Sequence, residues 1–353
     1  MTRVMHVISG LGIGGAEAML VQLAHSLKAR GFEQDVVSVS DTGAHSMTLQ
    51  SFGIEVHALN VRNYAGAAKG ILSLANLIRR RRPDVVQGWM YHGDIFAALS
   101  NRLVPGSRRL YWNIRASDTS EGGYGWLIRL NARLSHWPDL VLANSKAGLD
   151  AHLSHGYRPR TFEVIHNGVD TDKFRPDPQE RARLRAELGI APDAVVVIHV
   201  ARVNPMKDHD TFLAAMRAVP DLHALMVGLG TEMLDCPTNV RGLGVRHDVE
   251  RLYRVADLVV SSSAFAEGFS NALAEGMSSG LVAVATDVGD ARLIVGDAGS
   301  IVPIRDPQAL ARALRDESLR PDRDERKARA RSRMVDHFKF TDAVDRFAKL
   351  YAV

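Results

Sequence analysis

Val4-Met5-His6-Val7-Ile8-Ser9-Gly10-Leu11-Gly12-Ile13-Gly14-Gly15-Ala16 opens the chain as an apolar, β-rich run that breaks into glycines and then into a helical pattern reaching Arg30. Strand, glycine turn and helix in that order make one βα unit. The rhythm continues outward, with strand candidates at residues 36–40, 54–59, 85–89, 110–114, 140–143 and 164–166 separated by stretches long enough for crossover helices. Such alternation predicts a parallel sheet with helices on its faces.

The polar segment from Asn167-Gly168-Val169-Asp170 to Arg175-Pro176-Asp177-Pro178 interrupts that rhythm with turn residues and two prolines, and is read as an interdomain linker. Strand patterns restart at 195–200, 224–227, 240–243, 258–260 and 282–285, with helical stretches such as 208–218 between them. A chain of 353 residues exceeds what one hydrophobic core serves. The expected class is therefore α/β with two doubly wound domains, residues 1–170 and 171–336, and a substrate cleft between them. Val344, Phe347 and Tyr351 recur at helical spacing among Asp345, Arg346 and Lys349, so residues 337–353 are expected to form an amphipathic helix docking back toward the first domain.

Composition narrows the function classes. Hydrophobic residues make up 46% and charged residues 24%, which suits a compact globular protein. Net charge is +4, from 44 basic and 40 acidic residues, too small an excess for a dedicated nucleic-acid binder without a clustered basic face. Arg79 to Arg82 form the one dense basic run, at a helix end where cations complement the dipole. Contact with an acidic membrane surface is the alternative reading of that run. No stretch approaches the roughly 18 apolar residues of a span, so any membrane association is expected to be peripheral. A single cysteine, Cys236, excludes an internal disulfide framework and fits a cytoplasmic location.

The chemistry concentrates in Ala266-Glu267-Gly268-Phe269-Ser270-Asn271-Ala272-Leu273-Ala274-Glu275-Gly276. The apolar run 258–260 precedes it, which places Glu267 beyond the carboxyl end of a buried strand and Glu275 inside the following helix. Ligands bind at that edge of open α/β sheets. The turn Gly268 to Asn271 offers backbone amides and a helix cap to a phosphate or sugar. After strand 195–200, Arg202 and Lys207 place two permanent cations on one loop, a planar donor fork and a mobile point charge able to hold a diphosphate without a metal.

The N-terminal glycines also satisfy G-x-G-x-x-G, with Asp41 at the end of the next strand, so a nicotinamide-dependent oxidoreductase is an alternative. Asp41 lies further along than a ribose-binding acid usually does, and that reading leaves the second domain's glutamates unexplained.

Together these stretches resemble glycosyltransferase family 4. The markers are Gly12-Ile13-Gly14-Gly15-Ala16-Glu17, Asn144-Ser145, Val164-Ile165-His166-Asn167-Gly168-Val169-Asp170, Arg202 with Lys207, and Glu267 through Glu275. The resemblance implies a GT-B fold of two facing Rossmann-like domains. It further implies retaining transfer of a sugar from a nucleotide diphosphate donor, most often a UDP-sugar, to a hydroxyl of a glycan or lipid-linked acceptor in cell-surface polysaccharide synthesis, with no metal cofactor.

Carried over residue by residue, Glu267 contacts the donor sugar, Arg202 and Lys207 neutralise the diphosphate, and Glu275 binds ribose. The amides of Gly268, Phe269 and Ser270, with Asn271, orient sugar and phosphate, while Gly14 and Gly15 face the diphosphate. His92, after strand 85–89, stands where the family often places a histidine near the reacting sugar. Gly228 and Arg246 resemble loops bordering phosphate and base, and Asn113 and Arg115 are acceptor-side candidates. Arg241, where an apolar residue is usual, and Asp290, where a second glycine often follows Gly289, depart from the family's wording. A catalytically silent nucleotide-sugar-binding protein on the same fold is the remaining alternative.

Overall fold

The structure is a computed structural model that describes residues 1–12, 14–117 and 125–352, with the backbone alone at Tyr64. Ile13 of the glycine turn lies outside the described residues. The chain divides into two compact units, one made of Met1–His166 with Ala343–Val353 and the other of Asn167–Asp342.

In the first unit, β1 (Arg3–Ile8), β2 (Glu33–Ser38), β3 (Glu55–Ala58), β4 (Val85–Trp89), β5 (Arg109–Ile114), β6 (Leu140–Ala143) and β7 (Phe162–Val164) form one sheet in the order β3-β2-β1-β4-β5-β6-β7. Every pairing is parallel. β4 is buried along its whole length, Gln87 included, because helices cover both faces, which is why its remaining side chains are apolar. The strand order reverses between β1 and β4, and the chain leaves their carboxyl ends at Ser9 and Met90.

The second unit repeats the plan with β8 (Val196–Val200), β9 (His223–Val227), β10 (Val240–Gly242), β11 (Leu258–Ser261), β12 (Val282–Thr286) and β13 (Gly299–Val302), ordered β10-β9-β8-β11-β12-β13 and again all parallel. Its reversal falls between β8 and β11. β13 lacks a sequence signal, since a glycine opens it and only two of its four residues are apolar. Asp257, just before β11, receives Arg181 (2.8 Å), Lys327 (2.9 Å), Arg185 (2.8 Å) and the amide of Val196 (3.0 Å), fixing the amino ends of β8 and β11 together.

The segment read as a linker is tied into the second unit. Val169 donates to the Phe338 carbonyl (2.7 Å) and accepts from the Phe340 amide (2.9 Å). Gly168 has φ +70, and a Cβ there would lie 2.7 Å from Cα of Phe340, so only glycine fits. Arg331 holds the carbonyls of Thr171 (2.8 Å) and Phe174 (2.7 Å), leaving this stretch far more fixed than its prolines and turn residues suggest.

The last helix, Phe340–Tyr351, starts in the second unit and belongs to the first from Ala343 onward. Its apolar face is buried there: Phe347 stacks on Trp89 at 6.4 Å, and Tyr351 stacks on Tyr111 at 6.4 Å and donates to Gln87. Among the described residues no helix is long and apolar enough to cross a membrane. Phe347 is fully buried, so Phe347→Ala is expected to destabilise the first unit by about 3–5 kcal/mol. A thermal melt matching the wild type would show that the helix is not part of this core.

Candidate active site

Two loops meet at the reversal point of the second sheet. The loop after β8 passes through a short 3-10 turn, Pro205–Lys207, opened by Asn204, whose side chain accepts from the Met206 amide at 2.8 Å. The loop after β11 carries Ser262, Ser263 and Glu267. Three bonds tie them together: Ala264 N donates to the Met206 carbonyl (2.8 Å), Ser262 Oγ to the Lys207 carbonyl (2.7 Å), and Lys207 Nζ to Glu267 Oε2. Buried His199 on β8 sits 3.1 Å from Ser262 Oγ and fixes that hydroxyl in turn.

Glu267 therefore has two unequal oxygens. Oε2 receives both Lys207 Nζ and the Ser263 hydroxyl, the latter at 2.8 Å. Oε1 has no hydrogen bond among the described residues, and the side chain keeps 12% of its surface exposed. One oxygen holds the carboxylate in place while the other stays open to a ligand. Ala266 immediately before it has φ +56 and Asp208 immediately after Lys207 has φ +46, strained values for residues with a Cβ. Asp208 is held there by capping the next helix through the Thr211 amide (3.2 Å) and hydroxyl (2.7 Å).

The backbone then enters the helix Asn271–Ser278, with buried Ser270 as its N-cap. Ser270 makes no capping bond through its side chain, and the first turn contains no acid, which leaves a positive helix end beside Glu267. Gly289 has φ +61, and a Cβ there would lie 2.0 Å from the Glu267 carbonyl oxygen. Asp290 follows, donating its amide to the Gly268 carbonyl at 3.1 Å. The Gly289-Asp290 turn thus presses directly on the Glu267 loop.

Glu275 lies inside the helix. Tyr253 donates to its Oε2 at 3.2 Å, and burial pushes the carboxyl up to about 7 against the opposing pull of Tyr253 and Lys173.

The other residues singled out in this unit separate into ligand-facing and structural groups. Arg202 is exposed and has no hydrogen-bond or ion-pair partner among the described residues. Arg246 is exposed but already paired with Asp248 through two bonds of 2.8 and 2.7 Å. Gly228 serves packing, since a Cβ there would lie 2.2 Å from the Ala201 carbonyl oxygen, under the Arg202 loop. Phe269 points into the core, 5.5 Å from Phe338, so it can offer a ligand only its backbone. The Asn271 side-chain oxygen accepts from Asn167 at 2.8 Å.

In the first unit, Gly14 is the N-cap of the helix Gly15–Ala29, with extended backbone. The Glu17 carboxylate curls back against it, 2.3 Å from where a Gly14 Cβ would stand, and so lies at the helix end that the sequence offered to an anion. His92 is in the first turn of the helix Met90–Arg102, following Met90 at φ +62, and burial holds its imidazole below the ordinary value. Asn113 lies inside β5, fully buried, with its backbone amide 3.4 Å from Asp94 Oδ1. Arg115 lies over the Trp89 ring at 5.2 Å, and burial lowers its guanidinium to about 9.

Two cavities among the described residues of this unit bear on the site. One of about 570 Å³ lies at the amino ends of the strands, lined by Asp84, Arg109 and Asp139, away from the edge where α/β sheets bind ligands. The other, about 510 Å³, lies at the carboxyl edge and includes His92. Asp35, Glu55 and His57 could hold a cation, but Arg81 already bonds Asp35 (3.0 Å) and Glu55 in their midst.

Ser263, Ser262, His199 and Tyr253 escaped the sequence reading. The Ser261-Ser262-Ser263 run at the end of β11 was the available signal for the first two. His199 sits in an apolar strand and Tyr253 at apolar helix spacing, so neither stands out.

Glu275 has a folded-state value near 7 against 4.5 for a free side chain. Between those values the native state keeps a proton that the unfolded chain has lost, so stability falls as pH rises through the window. Glu275→Gln is accordingly expected to melt above the wild type at pH 8, the gap closing toward pH 4. A variant melting below the wild type at pH 8 would contradict this. Gly289→Ala is expected to cost at least about 1–3 kcal/mol through strain and the clash with Glu267, measurable by thermal melting.

Comparison with known proteins gives this geometry a family. Residues 13–173 match the family model described as Glycosyltransferase Family 4, and residues 194–316 match Glycosyl transferases group 1. The D-inositol 3-phosphate glycosyltransferase of Mycobacteroides abscessus is 31% identical over 195 residues, covering 50% of this chain and 43% of the relative. This chain thus spans less than half the length of that relative. The protein of the same name from Streptomyces avermitilis is 26% identical, covering 96% of this chain and 82% of the relative.

Among solved structures, Anabaena Alr3699/HepE in complex with UDP superposes with a TM-score of 0.87 at 22% identity over 99% of both chains. A glycosyltransferase from Rickettsia africae gives 0.86 at 17% identity over 99% of this chain and 97% of its own. These matches attach the N-terminal glycine turn to glycosyltransferases and remove the support for a nicotinamide oxidoreductase. The chain belongs to glycosyltransferase family 4 and has the GT-B fold.

Proposed function

We propose that this protein is a retaining, metal-independent glycosyltransferase that moves a sugar from a UDP-sugar to a hydroxyl of a glycan or lipid-linked acceptor. The observation that carries this reading is the divided Glu267 carboxylate: one oxygen fixed by Lys207 and Ser263, the other open at the reversal point of the second sheet. A donor-sugar hydroxyl can bond the open oxygen without disturbing the fixed one. Lys207 keeps N–H groups beyond the one facing Glu267, and with Arg202 it offers positive charge to a diphosphate. Support for uridine comes from Anabaena HepE, whose solved complexes contain UDP and UDP-glucose.

The chemistry follows from where charge develops. As the bond between the anomeric carbon and the phosphate oxygen breaks, its electron pair passes to the diphosphate and the sugar becomes oxocarbenium-like. Fixed cations on the leaving group and a fixed carboxylate near the sugar stabilise that separation more than the ground state, which lowers the barrier. The acceptor hydroxyl attacks the same face that the diphosphate leaves, and its proton goes to the departing phosphate oxygen. Configuration is retained, and no side chain need form a covalent intermediate. Glu275, with Tyr253 beside it, accepts hydrogen bonds from ribose hydroxyls. We place the reaction in the cytoplasm, with a glycan destined for the cell surface as product.

A panel of nucleotide sugars assayed for hydrolysis and transfer tests this directly. Donor consumption is expected with a UDP-sugar and unaffected by chelation of divalent ions. Glu275→Ala should raise the donor KM, Lys207→Ala should raise KM and also lower kcat because it releases Glu267, and Glu267→Ala should lower kcat about 100-fold, the usual scale for removing a preorganised electrostatic partner. Wild-type turnover in all three variants would refute the site. UDP binding with no donor consumption by any acceptor mixture would instead favour a silent binding protein.

A further inference from the structure

The cavity of about 510 Å³ in the first unit lies at that sheet's own reversal point, touching Ser9 after β1 and His92 after β4. Ligands bind in such crevices, and the volume falls within the range of small-molecule sites. Its walls are unusual for a pocket that would receive only a sugar. Val61, Ile71, Phe96, Leu99 and Leu130 line it, and among the described residues no lining side chain is acidic. A dry apolar cavity of about 150 Å³ holds one benzene, so this one has room for a chain of some fifteen carbons.

The mouth has the opposite character. Arg62 lines it, is exposed and has no ion-pair or hydrogen-bond partner among the described residues. Beside it Asn63 caps the 18-residue helix Tyr64–Arg81, accepting from the Gly66 amide at 2.8 Å. That helix has no acid in its first turn. A free guanidinium beside the positive end of a long helix suits an anion, and a phosphate most of all.

We propose that this cavity binds a single-chain amphiphile, an apolar chain between the walls and a phosphate at Arg62, which makes the acceptor a hydroxyl of a glycan borne on a lipid phosphate carrier. The identification of that ligand as the acceptor rests on the glycosyltransferase reading; the binding does not. Burial of the chain supplies affinity through apolar area removed from water, and Arg62 fixes which end faces out.

The full-length protein is titrated calorimetrically with farnesyl phosphate below its micelle concentration, and separately with farnesol, inorganic phosphate and UDP. Saturable farnesyl phosphate binding is expected, at least 10-fold tighter than farnesol, with none for inorganic phosphate. Ala67→Trp, which fills the cavity from the helix wall, should weaken farnesyl phosphate at least 10-fold while UDP binding persists. Arg62→Ala, an exposed change that leaves the core intact, should bring farnesyl phosphate down to the farnesol level and serves if Ala67→Trp fails to fold.

Absence of farnesyl phosphate binding in a wild type that binds UDP would overturn the inference, as would binding indifferent to both substitutions. Binding only to anionic phosphatidylglycerol vesicles, never to the monomeric lipid, would overturn it in favour of a surface contact. Farnesyl phosphate binding without UDP binding would uphold the cavity and remove the UDP-sugar donor reading instead.

Discussion

The ion pair between Lys207 and Glu267 is the constraint on which the rest of the second unit's working edge depends. Each partner is mostly enclosed, with 19% and 12% of the side chain exposed, so either one alone would be an uncompensated charge in a poorly solvated place. The pairing requires the loops after β8 and β11 to stay together, and the backbone bonds from Ala264 to Met206 and from Ser262 to Lys207 make them do so. Strain is accepted where it serves this: two of the six left-handed non-glycine residues among those described are Asp208 and Ala266, neighbours of the pair. Gly289 then clamps the Glu267 carbonyl from behind.

Both units use the same architectural opening for different chemistry. Parallel strands that reverse order leave a crevice at their carboxyl ends, between β8 and β11 in one sheet and between β1 and β4 in the other. In the second unit the crevice loops carry fixed charge, a carboxylate, two cations and a helix end. In the first they carry apolar walls with a cationic mouth. Topology supplies the place, and loop composition decides what can occupy it.

Much of this was legible in the chain itself. Parallel strands buried on both faces are mostly apolar, so β1, β4, β8, β11 and β12 announce themselves even though His6, Gln87 and His199 interrupt three of them. Glu267, Lys207 and Arg202 were visible because charged residues directly after such runs fall at the carboxyl edge. β13 was hidden by its glycine and serine, and the role of Ser263 by the fact that its partner lies across a turn whose path the sequence does not specify. The end of β5 at Ile114 was read correctly, and Asn113 lies inside that strand as a fully buried side chain, which its strand position and not the loop after it decides. The apolar cavity was likewise out of reach, since its walls come from separate helices whose buried positions all read as core.

The central claim is that Lys207 and Glu267 act as one unit on the donor, and a double-mutant cycle on donor turnover tests it most directly. kcat/KM is measured for the wild type, Lys207→Ala, Glu267→Ala and the double variant with the same UDP-sugar. If the pair acts together, the double variant loses little more than the worse single variant, because removing either partner already disables the other. Losses that multiply would mean two independent residues and would contradict the account.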